Sequence, residues 1–141
     1  MDLNELYQEI ILEHFKYPKN RGTIEDADLH LEGRNPFCGD EIKLSVKFKG
    51  PTLDRVEFEG TGCAISQASA SMMTEQLKGK TIAEIRELID DFAGMVTGNK
   101  AGLNSDRLGD LVALKGVCDF PTRVKCALLA WRVVEQAIAK M

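Results

Sequence analysis

The sequence has no excess of basic residues, no long apolar run and few histidines, and each shortage excludes something. It carries 18 Lys and Arg against 22 Asp and Glu, a formal net charge of -4 with a pI near 5.2. A nucleic-acid footprint needs a basic face, so no nucleic-acid partner is expected, although a local basic patch can still dock an acidic protein. No apolar stretch is long enough to span a bilayer, so no membrane partner is expected either. The opening MDLNELYQEIILEHF is acidic and periodic and lacks the pattern of a signal peptide, which makes a cytoplasmic address the expectation. There is no internal repeat, low-complexity tract or interdomain linker. With 141 residues, the chain reads as one domain over 1–141, large enough to bury a core of its own. Without an export signal the four cysteines are not expected to form a disulfide framework, because cytosolic thiols are kept reduced. Two readings of them remain, buried small hydrophobes or metal and sulfur chemistry.

Patterning supplies the fold class. Leu3, Leu6, Tyr7, Ile10, Ile11 and His14 recur at helical spacing and predict a helix over residues 3–15, ended by the turn chemistry of Tyr17-Pro18-Lys19-Asn20-Arg21-Gly22. Residues 29–31 suit a short strand. Residues 41–49 alternate, with Ile42, Leu44, Val46 and Phe48 on one face, and residues 53–59 resume the alternation after Gly50-Pro51 with Leu53, Val56 and Phe58. One solvated face and short connections predict antiparallel pairing. The period then becomes helical over residues 64–78, with Met72 and Met73 as core members. Thr81 and Glu84 form a capping-box pattern opening a helix to about Phe92, whose charged residues Glu84, Arg86, Glu87, Asp90 and Asp91 suit a solvated face. Residues 94–109 contain four glycines and read as a loop, with a short helix over 106–114. Pro121 opens a last helix to about Lys140, with Val124, Ala127, Leu128, Trp131, Val134 and Ile138 as its stripe. The order predicts an α+β domain, a small antiparallel sheet of about three strands covered by helices.

Three cysteines stand where chemistry is plausible. Cys38 lies in Asn35-Pro36-Phe37-Cys38-Gly39-Asp40, and residues two apart in extended backbone point to one side, so Cys38 and Asp40 can address one ion. The alternative is a loop cysteine before a turn-forming Gly-Asp. Cys63, in Gly60-Thr61-Gly62-Cys63, falls at a helix start, where the dipole and free N–H groups favour thiolate, or where a buried thiol packs the turn. Cys126 points about half a helical turn from the stripe of the last helix, so it is not an obvious core member. Arg123 and Lys125 beside it are expected to lower its pKa. The alternative places Cys126 under a second apolar face with Ala130, Val133 and Ala137. Cys118, before Asp119-Phe120-Pro121, reads as an ordinary reduced thiol. His14 and His30 have no third partner and read as structural.

Cys38-Gly39-Asp40, the stretch GTGCAISQASAS from Gly60 to Ser71, and Phe120-Pro121-Thr122-Arg123-Val124-Lys125-Cys126 followed by residues 127–131 carry a family resemblance. In that order, over nearly the whole length, the chain resembles the U-type iron–sulfur assembly proteins (IscU, SufU and the NifU N-terminal domain). It is similar to the SufU branch in an insertion before the third cysteine, here about residues 95–116. IscU-like scaffolds place a histidine directly before that cysteine, where this sequence has Lys125. Scaffolds served by a dedicated Hsp70 carry Leu-Pro-Pro-Val-Lys, where this sequence reads Asp119-Phe120-Pro121-Thr122-Arg123-Val124-Lys125.

The resemblance implies an α+β fold and a tetrahedral zinc held by Cys38, Asp40, Cys63 and Cys126, with Arg123 and Lys125 offsetting the negative charge of the donors. It also implies a persulfide-presenting, PLP-dependent cysteine desulfurase of the SufS kind as partner, with downstream cluster assembly proteins as recipients. Cys38, on the loop expected to be most mobile, is the expected sulfur acceptor and Cys126 the second choice. Two other roles stay open at this point. One is a scaffold assembling a labile [2Fe–2S] cluster, or holding iron, on Cys38, Cys63 and Cys126 with Asp40. The other is a zinc-stabilised adaptor with no sulfur chemistry.

Overall fold

The structure, a computed structural model, describes residues 2–99 and 105–141. Helix α1 spans Leu3–Lys16, followed by strands β1 (Leu29–Asn35), β2 (Asp40–Lys49) and β3 (Thr52–Thr61). Helices α2 (Ala64–Leu77), α3 (Ile82–Val96) and α4 (Ser105–Leu108) come next, then a 3₁₀ stretch over Gly109–Asp119 and helix α5 (Pro121–Ala139). The strands form one antiparallel sheet in the order β1-β2-β3 among the described residues. The expected α+β architecture is therefore the observed one.

The sheet departs from the expected boundaries in two instructive ways. β1 is longer than residues 29–31, running to Asn35 and pairing Asn35 with Asp40 across a turn at residues 36–39. Its extension passes close to α5, where a Cβ on Gly33 would stand 2.6 Å from Val133 Cγ2. In β3, Leu53 and Val56 are three apart yet both buried, which simple alternation forbids. The register explains it. Lys47 pairs with Arg55 but Phe48 pairs with Leu53, so Asp54 is an extra residue and the strand bulges there.

Helix α2 occupies the middle of the molecule, packed by α1, α5 and β3. Ser66 through Thr74 are all buried, so its small residues let neighbours approach from every side rather than from one stripe. Its serines bond inward. Trp131 Nε1–H donates to Ser69 Oγ at 3.0 Å, Ser69 Oγ donates to the Ala127 carbonyl at 2.7 Å, and the Trp131 ring stacks on Phe92 at 4.4 Å between centroids. His14, expected to be structural, is buried against α2 with Nδ1 2.8 Å from Ser71 Oγ. His30 is exposed on β1.

The region read as a loop is more regular than expected. Gly94 lies inside α3, and the 3₁₀ stretch covers much of the short helix placed over 106–114; residues 100–104 lie outside the described residues. Arg107 ties this region to α3 through ion pairs with Asp91, at 3.0 Å, and Glu87. Asp91 is accordingly only part-exposed, unlike the rest of the charged face of α3. No helix is long and apolar enough to cross a membrane among the described residues.

These contacts set a stability contrast. Trp131→Ala removes a fully buried ring and its hydrogen bond, and about 3–5 kcal/mol of stability is expected to go with it. Thr81→Ala removes the cap whose Oγ1 accepts the Glu84 N–H at 3.2 Å, at a cost of about 1 kcal/mol. Urea unfolding followed by circular dichroism should rank them in that order.

Candidate metal centre

The turn between β1 and β2 is built from Pro36, Phe37, Cys38 and Gly39, with Gly39 in the left-handed region at φ +66°. Cys38 thus sits on a hairpin tip rather than in extended backbone, and only partly exposed. It still converges with Asp40, because the turn folds back over the start of β2. Phe37 is 80% exposed, and Lys125 Nζ lies 4.7 Å from its ring centroid.

Asp40 is 2% exposed, an expensive place for a carboxylate unless it is paired. Its Oδ1 accepts the Cys63 backbone N–H at 2.8 Å, and Asn35 Nδ2 approaches its Oδ2 at 3.5 Å. Cys63 is the N-cap of α2, as its sequence context predicts, and its Sγ accepts the Ser66 N–H at 3.5 Å. Gly62 makes the approach possible. Its φ is +139°, and a Cβ there would stand 2.3 Å from Asp40 Oδ1.

Cys126 is 0% exposed, and Ala130, Val133 and Ala137 are buried with it. The second apolar face is real, because α5 lies between α2 on one side and β1 and β2 on the other. The expected lowering of its pKa is reversed. Burial pushes the Cys126 thiol well up, and its interactions with Cys38, Asp40 and Cys63 push the same way. Arg123 and Lys125 project to the surface, where water screens them. Arg123 nevertheless belongs to the neighbourhood, since the charges of Cys63 and then Cys126 hold its guanidinium more firmly protonated than usual.

Cys38 Sγ, an Asp40 carboxylate oxygen and Cys126 Sγ all lie within 4.8 Å of one another, close enough to share one ion. Cys63 Sγ stands outside that set, turned toward the first turn of α2, although it interacts with Cys126 and Arg123. Cys118 is remote from the group, its Sγ 3.8 Å from Asp119 Oδ1. Asn35 is the residue that sequence reasoning missed. It is 6% exposed, and its amide reaches both Asp40 Oδ2 and Cys126 Sγ, the latter at 3.6 Å. Only the strand pairing of Asn35 with Asp40 could have exposed it.

Comparison with known proteins agrees with this architecture. The NifU-like N terminal domain family matches residues 6–127. The zinc-dependent sulfurtransferase SufU of Bacillus subtilis (strain 168) is 42% identical over 139 residues, covering 99% of this chain and 93% of that protein. The iron–sulfur cluster assembly scaffold protein IscU of Streptococcus pyogenes serotype M1 is 39% identical, covering 98% of this chain and 86% of that one. Among solved structures, the putative iron–sulfur cluster assembly scaffold protein for the SUF system of Fervidobacterium islandicum AW-1 superposes with a TM-score of 0.88 at 39% identity, covering 97% of this chain and 99% of the other. With family pattern, full-length relatives and fold in agreement, the chain belongs to the NifU-like N-terminal domain family of iron–sulfur cluster assembly proteins.

Proposed function

We propose that this protein accepts sulfur on Cys38 from the persulfide of a PLP-dependent cysteine desulfurase and passes it on to cluster assembly proteins, with zinc held by Cys38, Asp40, Cys63 and Cys126. The observation that carries the reading is the meeting of two thiols and a carboxylate within 4.8 Å, Asp40 and Cys126 buried and Cys38 partly open. The donors suit zinc, which takes sulfur and oxygen ligands at four-coordinate sites. The name of the Bacillus subtilis relative, a zinc-dependent sulfurtransferase, supports the same assignment. When bound, zinc would supply a Lewis-acidic centre that keeps the thiols deprotonated without redox change of its own.

In the transfer, the Cys38 thiolate attacks the terminal sulfur of the incoming persulfide. A new S–S bond forms on Cys38, the donor's S–S bond breaks, and the donor cysteine leaves as thiolate. Partial exposure favours Cys38 over Cys126, which an incoming persulfide would reach only by opening the face of α5. Three thiolates and a carboxylate outweigh the double charge of zinc, and Arg123 stands beside Cys63 and Cys126 to offset the excess. Incubation with a desulfurase and cysteine, followed by peptide mapping, should place a one-sulfur mass increase on Cys38 and none in Cys38→Ser. A persulfide mapped to Cys126 or Cys118 in the folded wild type would sink the assignment.

The name of the Streptococcus pyogenes relative, a scaffold, favours a second reading in which the same residues assemble a [2Fe–2S] cluster as cargo. Anaerobic reconstitution with iron and sulfide separates the two, since a stoichiometric, transferable cluster belongs to the scaffold alone.

The close approach at Gly62 tests the donor set itself. Gly62→Ala should drive Asp40 from its place and weaken zinc binding about 10- to 100-fold, the range for disturbed outer-shell support. Gly39→Ala meets nothing within 4 Å and strains only its own turn, so its loss should be smaller. Competition with a chelating dye measures both.

A further inference from the structure

We infer that Lys125 is a positioning residue for Cys38, its ammonium resting on the face of Phe37 and holding the 36–39 turn against α5. The inference rests on the reading of Cys38 as sulfur acceptor.

The base and the tip of the β1–β2 hairpin are held very differently. At the base, Asn35 pairs with Asp40, both are buried, and Gly33 packs on Val133 of α5. At the tip, the Cys38 N–H reaches the Asn35 carbonyl at 3.3 Å, Gly39 has open space around it, and Phe37 is almost wholly exposed. A large apolar ring left in water has little reason to hold one position. Phe37 has one, because Lys125 Nζ sits 4.7 Å from its centroid. That is within the distance at which an ammonium is attracted by a ring face. Lys125 is in no carboxylate ion pair among the described residues, so its charge is not committed elsewhere. It also directly precedes Cys126. One adjoining pair on α5 thus meets both neighbours of the turn, Cys126 facing Cys38 within the donor group and Lys125 facing Phe37 above it.

The pair therefore sets how often the tip lifts away and leaves Cys38 free for an approaching persulfide. An exposed cation–π contact supports about a two- to fivefold change in that population. The rate of Cys38 alkylation by iodoacetamide reads it, on the full chain freed of metal by chelation and checked by circular dichroism. Phe37→Leu, which keeps the charge of Lys125, should raise the rate about two- to fivefold. In a Lys125→Gln background the same change should add nothing, while Lys125→Arg and Phe37→Trp should keep the wild-type rate. An unchanged rate in Phe37→Leu, or the same factor in both backgrounds, overturns the inference.

A second measurement needs no metal removal. In the protein as purified, the ε-CH₂ proton resonances of Lys125 should be shifted upfield by the ring and return to ordinary values in Phe37→Leu. Unshifted resonances in the wild type would remove the contact altogether. Neither readout involves sulfur transfer, so a failed persulfide mapping at Cys38 and a failed latch are told apart.

Discussion

The hydrogen bond from the Cys63 N–H to Asp40 Oδ1, 2.8 Å long, joins the first residue of β2 to the start of α2, and the candidate site depends on it. An isolated carboxylate at this depth would be driven to take up a proton or to move to water. Here one oxygen is fixed by backbone and the other faces the Asn35 amide, so the charge is directed rather than expelled. The same bond requires a residue without a side chain at position 62, and Gly62 supplies it. Asp40, Cys63 and the glycine between strand and helix are therefore one structural unit, although they are far apart in sequence.

Element starts recur around the site. Asp40 begins β2, Cys63 caps α2, and Cys126 lies near the beginning of α5. The N-terminus of α2 meets the candidate donors through its cap, where the Ser66 N–H donates to Cys63 Sγ, and helix N-termini carry partial positive charge. Arg123 adds a formal charge on the same side. Backbone N–H groups thus meet Asp40 Oδ1 and Cys63 Sγ, a support that needs no side-chain ordering.

Much of this was legible because it is local. Alternation in β2, the Thr81–Glu84 box and Pro121 at the start of α5 each follow from residues within one turn or strand. What escaped depended on distant partners. The bulge at Asp54 is a property of pairing with β2, not of β3 alone. Cys126 fell off the principal stripe of α5 because that helix is buried on two sides, and a single stripe cannot describe such a helix. The expectation of a lowered thiol pKa failed for the same reason, since burial of the thiol outweighs the charge of Arg123 beside it. Asn35 looked like a loop residue until the register set it opposite Asp40. The family motifs named the candidate donors, but no spacing along the chain places Cys63 Sγ outside the close group formed by the other three.

That asymmetry bears on which thiol can move. Releasing Cys126 would uncover a face shared with Ala130, Val133 and Ala137, so its movement would disturb the core. Displacing the Cys63 thiol would remove the Sγ that caps α2. Of the three thiols at the candidate site, Cys38 belongs to a segment whose displacement breaks no helix, because the strand pairing ends at Asn35 and Asp40. The proposed transfer requires an acceptor that leaves its resting contacts and returns to them at every turnover without unfolding its host. The proposed excursion costs least at the hairpin tip, which is held by its own turn and by one ring against one ammonium.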